Sequence, residues 1–307
     1  MSRSVLGGLK SPLRKVADRY PKLRGPIGRT WNTYERLRFT YHCWRNAKAY
    51  STEVVPIDPY QLYELPPDHI NGHSPGSFDS ISDTGRVIGG EWDLDDSVAF
   101  EDRFRYPSFQ QRFLKGKPWE DTEFYQTKLE KIRSDRQAKY ASIEALERKC
   151  AELDRMYEEI KTGGYRTQEE LNTVGGSAGS IVGDGGRGFL PGSAHLVRNE
   201  ISVDIARDGE PMLNEGRHRT CIVKLLELET VPVRIVVRHR EWQDLRNRIA
   251  RYVEPRDFES QSEAVAAVDD EILATEDVTM GVEHPDLRTV IDNHVVDKSS
   301  KSADLDS

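Results

Sequence analysis

The chain has 307 residues, 36% of them hydrophobic and 31% charged, which supplies one sizeable core with appendages rather than several packed domains. Its formal charge of −8 is unevenly placed: residues 1–50 hold 12 Lys and Arg against two acids, Asp18 and Glu35, a net of +10 that leaves −18 for residues 51–307. Cys43, Cys150 and Cys221 are too few and too scattered for a disulfide framework or a zinc knuckle, and no apolar run reaches the ~18 residues of a spanning helix.

Met1–Lys10 lacks the continuous apolar region of a secretory signal, so a cytoplasmic protein is expected, membrane-associated at the inner face if the basic head binds lipid. In that head, residues 1–50, arginines interleave with Trp31, Tyr34, Phe39, Tyr41 and Trp44. Such a segment suits an anionic membrane surface, a nucleic-acid backbone, or docking on the protein's own acidic body. Residues 51–122 follow, rich in proline at first and expected to form short strands and loops. From Phe100 an aromatic run (Phe104, Tyr106, Phe109, Phe113, Trp119, Phe124, Tyr125) reads as a helical layer packed on a sheet.

Residues 123–171 read as a helical insertion. Ile143, Leu146, Cys150, Leu153, Tyr157 and Ile160 recur at three- and four-residue spacing, an amphipathic helix over 143–160 that packs on the domain or meets a protein partner. Gly163-Gly164 stops it, and Thr167-x-x-Glu170 is a capping box for another short helix. Residues 172–194 are a glycine-rich linker or lid. Gly183–Gly188 matches the dinucleotide-binding spacing formally, but Phe189-Leu-Pro-Gly192 leaves no clean helix start behind it.

Residues 195–242 carry the most informative text. Ile201–Ile205 reads as a strand, Arg207–Glu210 as a hairpin turn and Pro211–Asn214 as the return strand. Then come Asn214-Glu-Gly-Arg-His-Arg219, an apolar helix and a Val-Pro-Val strand. Gly216 permits close backbone approach, the helix start offers unpaired N–H groups, and Arg217, His218 and Arg219 add donors suited to phosphate. Residues 243–307 continue as an arginine-rich helix and an acidic tail, with about the last 20 residues disordered in composition.

Asn214–Arg219 with its following helix and strand resembles the second signature box of the ParB/sulfiredoxin-like superfamily, in which Gly-x-[His/Arg]-Arg opens a helix. Val54–Leu62 and Gly85–Asp93 are similar to further parts of such domains, most of all to uncharacterised ParB-like-domain proteins of halophilic archaea. The resemblance implies an α+β fold: a small mixed sheet with a ParB/sulfiredoxin-like core, a helical insertion, and basic N-terminal and acidic C-terminal extensions. It also implies a nucleotide held at Asn214, Glu215, Gly216, Arg217, His218, Arg219 and Thr220, with ATP, ADP and CTP not distinguished. Sulfiredoxin-like members place a reactive cysteine where this chain has Arg217, which speaks against that branch; Cys221 falls inside the helix as a small core residue. No helix-turn-helix is legible after Trp242, against the chromosome-partition branch.

Transfer from a bound nucleotide needs an acid for Mg²⁺ or for the attacking hydroxyl. Glu91 and Asp93, which share one face if Gly89–Asp93 is extended, are the candidates for both tasks, and His218 is a donor, base or loop prop. The reading is a nucleotide- or phosphate-ligand-binding protein, a nucleotide-dependent transferase if catalytic, acting on a small molecule or a membrane-proximal glycan precursor. Its rivals are a DNA-associated protein or nuclease and a non-catalytic scaffold.

Overall fold

The computed structural model describes residues 21–94, 100–102, 105–134, 140, 142–174 and 196–295. The expectations for residues 1–20, for all but the first three residues of the glycine-rich linker, and for 296–307 lie outside them. The fold is mixed α/β, with five strands in one small mixed sheet and nine α-helices among the described residues.

The sheet is organised by its last strand. Val231-Pro-Val-Arg-Ile-Val-Val-Arg-His239 is β-branched-rich, and all nine residues are buried, as expected of a strand covered on both faces. Strand β1 (Leu62–Leu65) runs antiparallel along its first half and β2 (Arg86–Ile88) parallel along its last three residues, both on one edge. Strand β3 (Ile201–Ile205) lies parallel on the other edge, and β4 (Pro211–Glu215) closes the sheet as the hairpin partner of β3. Val231–His239 is β5.

The hairpin follows its turn chemistry. Asp208 Oδ1 accepts from the Glu210 N–H at 3.0 Å, and Gly209 adopts φ +87°, where a Cβ would stand 2.5 Å from the Trp242 ring. At the other end of the hairpin the register shifts between Ser202 and Val203, and Ser202 Oγ accepts from the Glu215 N–H at 3.2 Å.

Helix α1 spans Pro21–Ala49, α2 Arg105–Phe113, α3 Glu123–Arg133, α4 Ile143–Gly163, α5 Gln168–Val174 and α6 Arg217–Leu225. The aromatic run does form a helical layer, but α2 and α4 pack on α6 rather than directly on the sheet. Phe109 is its hub, with Phe113, Trp119, Phe124 and His218 around it; Phe113 stacks on Tyr157 of α4 at 4.1 Å. From Leu146 onward the stripe is satisfied within the chain, with Leu146, Cys150, Leu153, Met156, Tyr157 and Ile160 buried, while Ile143 is exposed. The capping box forms as read, since Thr167 Oγ1 accepts from the Glu170 N–H and Glu170 Oε2 from the Thr167 N–H.

One extension differs from expectation, and the other takes one of its three expected courses. The C-terminal chain to Val295 is packed, not disordered: α7 (Arg240–Val253), α8 (Gln261–Glu271) and α9 (Pro285–His294) bury Trp242, Ile249, Val268, Leu287, Val290 and Ile291. Composition missed this because the stabilising element is ionic. Asp286 is fully enclosed, accepts bidentately from Arg238 of β5 at 2.8 Å and from Trp242 Nε1 at 2.9 Å, and lies 3.3 Å from Arg246. In the basic head, the second half of α1 folds back on the body, with Phe39 and Cys43 fully buried and Asn46 Nδ2 donating to the Ser82 and Thr84 carbonyls.

Candidate functional site

The joint between β4 and α6 is the floor of the site. Gly216 has φ +103°, and a Cβ there would lie 3.0 Å from the Ile201 Cα, so only glycine fits between the strand end and the neighbouring backbone. Gly216 is also the N-cap of α6 and offers no side-chain oxygen to the first turn. The N–H groups of Arg217, His218 and Arg219 therefore lack the usual cap, at the positive end of a nine-residue helix.

Above this floor is a cavity of about 610 Å³, and Asn214, Glu215, Gly216, Arg217, His218 and Arg219 all line it. The structure thus brings together six of the seven residues assigned to the ligand. Thr220 does not line the cavity; it is buried, and its hydroxyl points back to the Gly216 carbonyl at 3.3 Å. Three further cations reach the cavity from distant parts of the chain: Arg105 of α2, Lys149 of α4 and Arg198 just before β3, with His73, Ser74, Ser77 and Phe78 completing the wall. None was legible as a site residue, because each is an isolated basic or polar residue whose meaning is set by tertiary placement.

The cavity's basic groups differ in availability. Arg217 is exposed and makes no ion pair among the described residues. Arg219 is instead a structural residue: it donates to Tyr165 Oη at 2.8 Å and to the Asn199 carbonyl, and lies 3.3 Å from the Glu200 carboxylate. This corrects the expectation that Arg219 grips phosphate alongside Arg217. Burial pushes the Glu200 carboxyl above the usual range, against the opposing pull of Arg219, the Gln168 N–H and Tyr165. Arg198 contacts Glu35 of α1 at 3.6 Å and has its Nη1 enclosed without a hydrogen-bond partner. Lys149 pairs with Glu152 at 3.1 Å.

His218 stacks parallel to Phe109 at 5.9 Å and meets Phe124 edge-on at 6.0 Å, which locks its ring into the aromatic layer and suits a prop better than a mobile base. Asn214 is held by Asp204 Oδ2 at 3.0 Å and the Phe78 carbonyl at 3.3 Å. Beneath the cavity, Asp204 is fully buried and its carboxyl is pushed up to about 6 by burial. Of the two carboxylates that line the cavity, Glu215 is the one not tied to an arginine; Ser80 Oγ donates to it at 2.8 Å. Cys221 is buried, with burial raising its thiol to about 12, in keeping with a core residue.

Glu91 and Asp93 are not part of this site. The segment after Gly90 turns instead of extending, with the Leu94 N–H donating to the Glu91 carbonyl at 3.3 Å, so the one-face argument fails. Asp93 is buried and spent on Arg207 of the hairpin turn: it accepts from the backbone N–H at 2.9 Å, Nε at 3.0 Å and Nη2 at 2.8 Å. Burial disfavours its charge, but these bonds outweigh that and hold its pKa below the usual value. The Arg207 turn and the cavity lie at opposite ends of the β3–β4 hairpin, roughly 13 Å apart at ~3.3 Å per residue. Glu91 is exposed beside it. These acids do not fit a protein-held Mg²⁺, and no cluster of three His, Cys, Asp or Glu suited to a metal occurs among the described residues.

Fold and site together define a mixed α/β protein with a basic, glycine-floored cavity at the start of a helix. Comparison with protein-family models, with curated proteins and with solved structures finds no match for the chain.

Proposed function

We propose that the protein binds a phosphorylated ligand, a nucleotide first among the candidates, in the cavity at the start of α6, as a member of the ParB/sulfiredoxin-like superfamily. The observation that carries this reading is the first turn of α6, without a side-chain cap, opening with Arg217, which makes no ion pair among the described residues, into a cavity that Arg105, Lys149 and Arg198 also line. Backbone donors, helix dipole and guanidinium groups all favour an anion there. The volume accommodates more than a bare phosphate, and Phe78, Leu213 and Met156 give the cavity an apolar part for the rest of the ligand. Any Mg²⁺ would arrive with the ligand's phosphates, since the described residues offer no acidic cradle for it.

Calorimetric titration of ATP, ADP, CTP and GTP, with and without Mg²⁺, into wild type and Arg217→Ala tests the reading. Saturable binding to wild type that weakens in the variant is expected; no binding of any nucleotide by wild type sinks it.

Group transfer is the second reading, favoured by the position of Glu215 in the cavity wall with no ion pair to an arginine among the described residues. In that case Glu215, not Glu91, takes the proton of the acceptor hydroxyl. A Glu215→Gln protein that binds nucleotide normally and turns over at the wild-type rate would remove it.

A further inference from the structure

We propose that the outward face of α1 is a contact surface for anionic lipid. The helix separates into two faces. Inward, Phe39 and Cys43 are fully buried, Phe39 lying under the Arg234 guanidinium, and Asn46 bonds to the Ser82 and Thr84 carbonyls. Outward, Leu37, Tyr41 and Trp44, at i, i+4 and i+7, are 57%, 55% and 59% exposed. The spacing puts them in one row along the helix. Tyr41 and Trp44 stand 6.3 Å apart, and the Lys48 ammonium sits 5.5 Å over the Trp44 ring one turn on.

Charge decides what covers this row. The one acid in Pro21–Ala49 is Glu35, which lies 3.6 Å from Arg198, so α1 itself adds no carboxylate to the exposed row flanked by Arg45 and Lys48, and Asp79 of the neighbouring loop is held by Arg38 at 3.2 Å. The segment Pro21–Ala49 carries seven Lys and Arg against one acid, on a chain whose residues 51–307 are −18, so this helix is the part that approaches an anionic surface. A second copy is a poor occupant. Pairing α1 with α1 sets like charges opposite each other, and the other exposed large apolar residues among those described, Leu94 after β2, Leu114 just past α2 and Ile143 at the start of α4, are scattered along the chain and form no matching row. Tyrosine and tryptophan rings with a polar edge, next to lysine and arginine, are instead the side chains that settle at a lipid headgroup boundary. The helix would lie along the surface, since no described helix is long and apolar enough to cross a membrane.

The test is sedimentation of the full chain with vesicles of phosphatidylglycerol or of phosphatidylcholine, for wild type and for a Leu37→Ser, Tyr41→Ser, Trp44→Ser variant whose thermal melt shows an intact fold. These positions face solvent, so the fold should survive. The expected result is binding of wild type to phosphatidylglycerol alone, weakened by salt and weakened about tenfold or more in the variant. Equal binding of variant and wild type would show that charge alone is at work and overturn the proposal. So would wild type left in the supernatant with both lipids, equal binding to phosphatidylcholine, or a dimer of wild type that the variant loses.

Discussion

Arg219 and Glu200 lie 3.3 Å apart with the carboxylate almost wholly enclosed, and Tyr165 Oη bonds to both, donating to Glu200 at 2.9 Å and accepting from Arg219 at 2.8 Å. The triad ties the start of α6 to the chain entering β3 and to the segment after α4. It sets the wall of the cavity rather than supplying its ligand contacts. Arg219→Ala should therefore act on stability first, leaving a buried carboxylate without its cation at a cost of roughly 3–5 kcal/mol. For a domain of this size that is a drop in melting temperature of about 10 °C. Arg217→Ala should leave the melt unchanged and weaken ligand binding about tenfold to a hundredfold, by loss of a charged hydrogen bond. Thermal melts and titrations of the two variants side by side separate these roles; a stable Arg219→Ala protein that has lost only affinity would reverse them.

Gly216→Ala should damage both fold and site. At φ +103° any L side chain is strained, and the added Cβ meets the Ile201 Cα at 3.0 Å, backbone that has no room to retreat. About 2 kcal/mol or more of stability should go, and with it the alignment of the first-turn N–H groups of α6. Urea unfolding measures the first effect and nucleotide titration the second.

How much of this was legible in the sequence depends on how local the determinant is. The β3–β4 hairpin, Gly216 and the start of α6 were readable because turn chemistry, a positive-φ glycine and an apolar helix face all lie within 25 residues of one another. The α4 stripe and the Thr167–Glu170 box were readable for the same reason. Arg105, Lys149 and Arg198 were not, since 93 residues separate the first from the last and only the fold joins them around one cavity. Glu91 and Asp93 misled because two acids two residues apart look like a ligand pair, whereas a turn at 91–94 aims Asp93 at Arg207, 114 residues away in sequence. The acidic C-terminal stretch misled in the same way, by hiding the buried Asp286 among many exposed carboxylates.

Asp93→Asn separates structure from chemistry at the far end of the hairpin. It should loosen the Arg207 turn and lower the melting temperature while leaving nucleotide affinity within about twofold of wild type, because its partners belong to the turn and not to the cavity. Loss of Mg²⁺-dependent binding in this variant, with an unchanged melt, would restore the carboxylate to the site.

Two buried aspartates should give opposite pH signatures. Burial alone would raise the Asp286 carboxyl, but the charges of Arg238 and Arg246 outweigh it and hold the pKa far below the usual carboxylate value. A folded-state pKa below the unfolded one means the unfolded chain binds the proton more readily, so Asp286 stabilises the fold above pH ~4 and that stability drains away on acidification. Asp286→Asn should cost roughly 3–5 kcal/mol at pH 7 and flatten the acid limb of the stability curve. Asp204 runs the other way. Its carboxyl is raised from 3.8 to about 6, chiefly by burial, so the folded state holds the proton longer and stability is lost as pH rises between those values. At 1.36 kcal/mol per pKa unit, Asp204→Asn should gain about 2 kcal/mol relative to wild type on going from pH 4 to pH 7. Urea unfolding of the two variants and wild type from pH 3.5 to 7.5 reads both effects, and a constant difference between Asp204→Asn and wild type across that range would show that folding does not shift the Asp204 carboxyl.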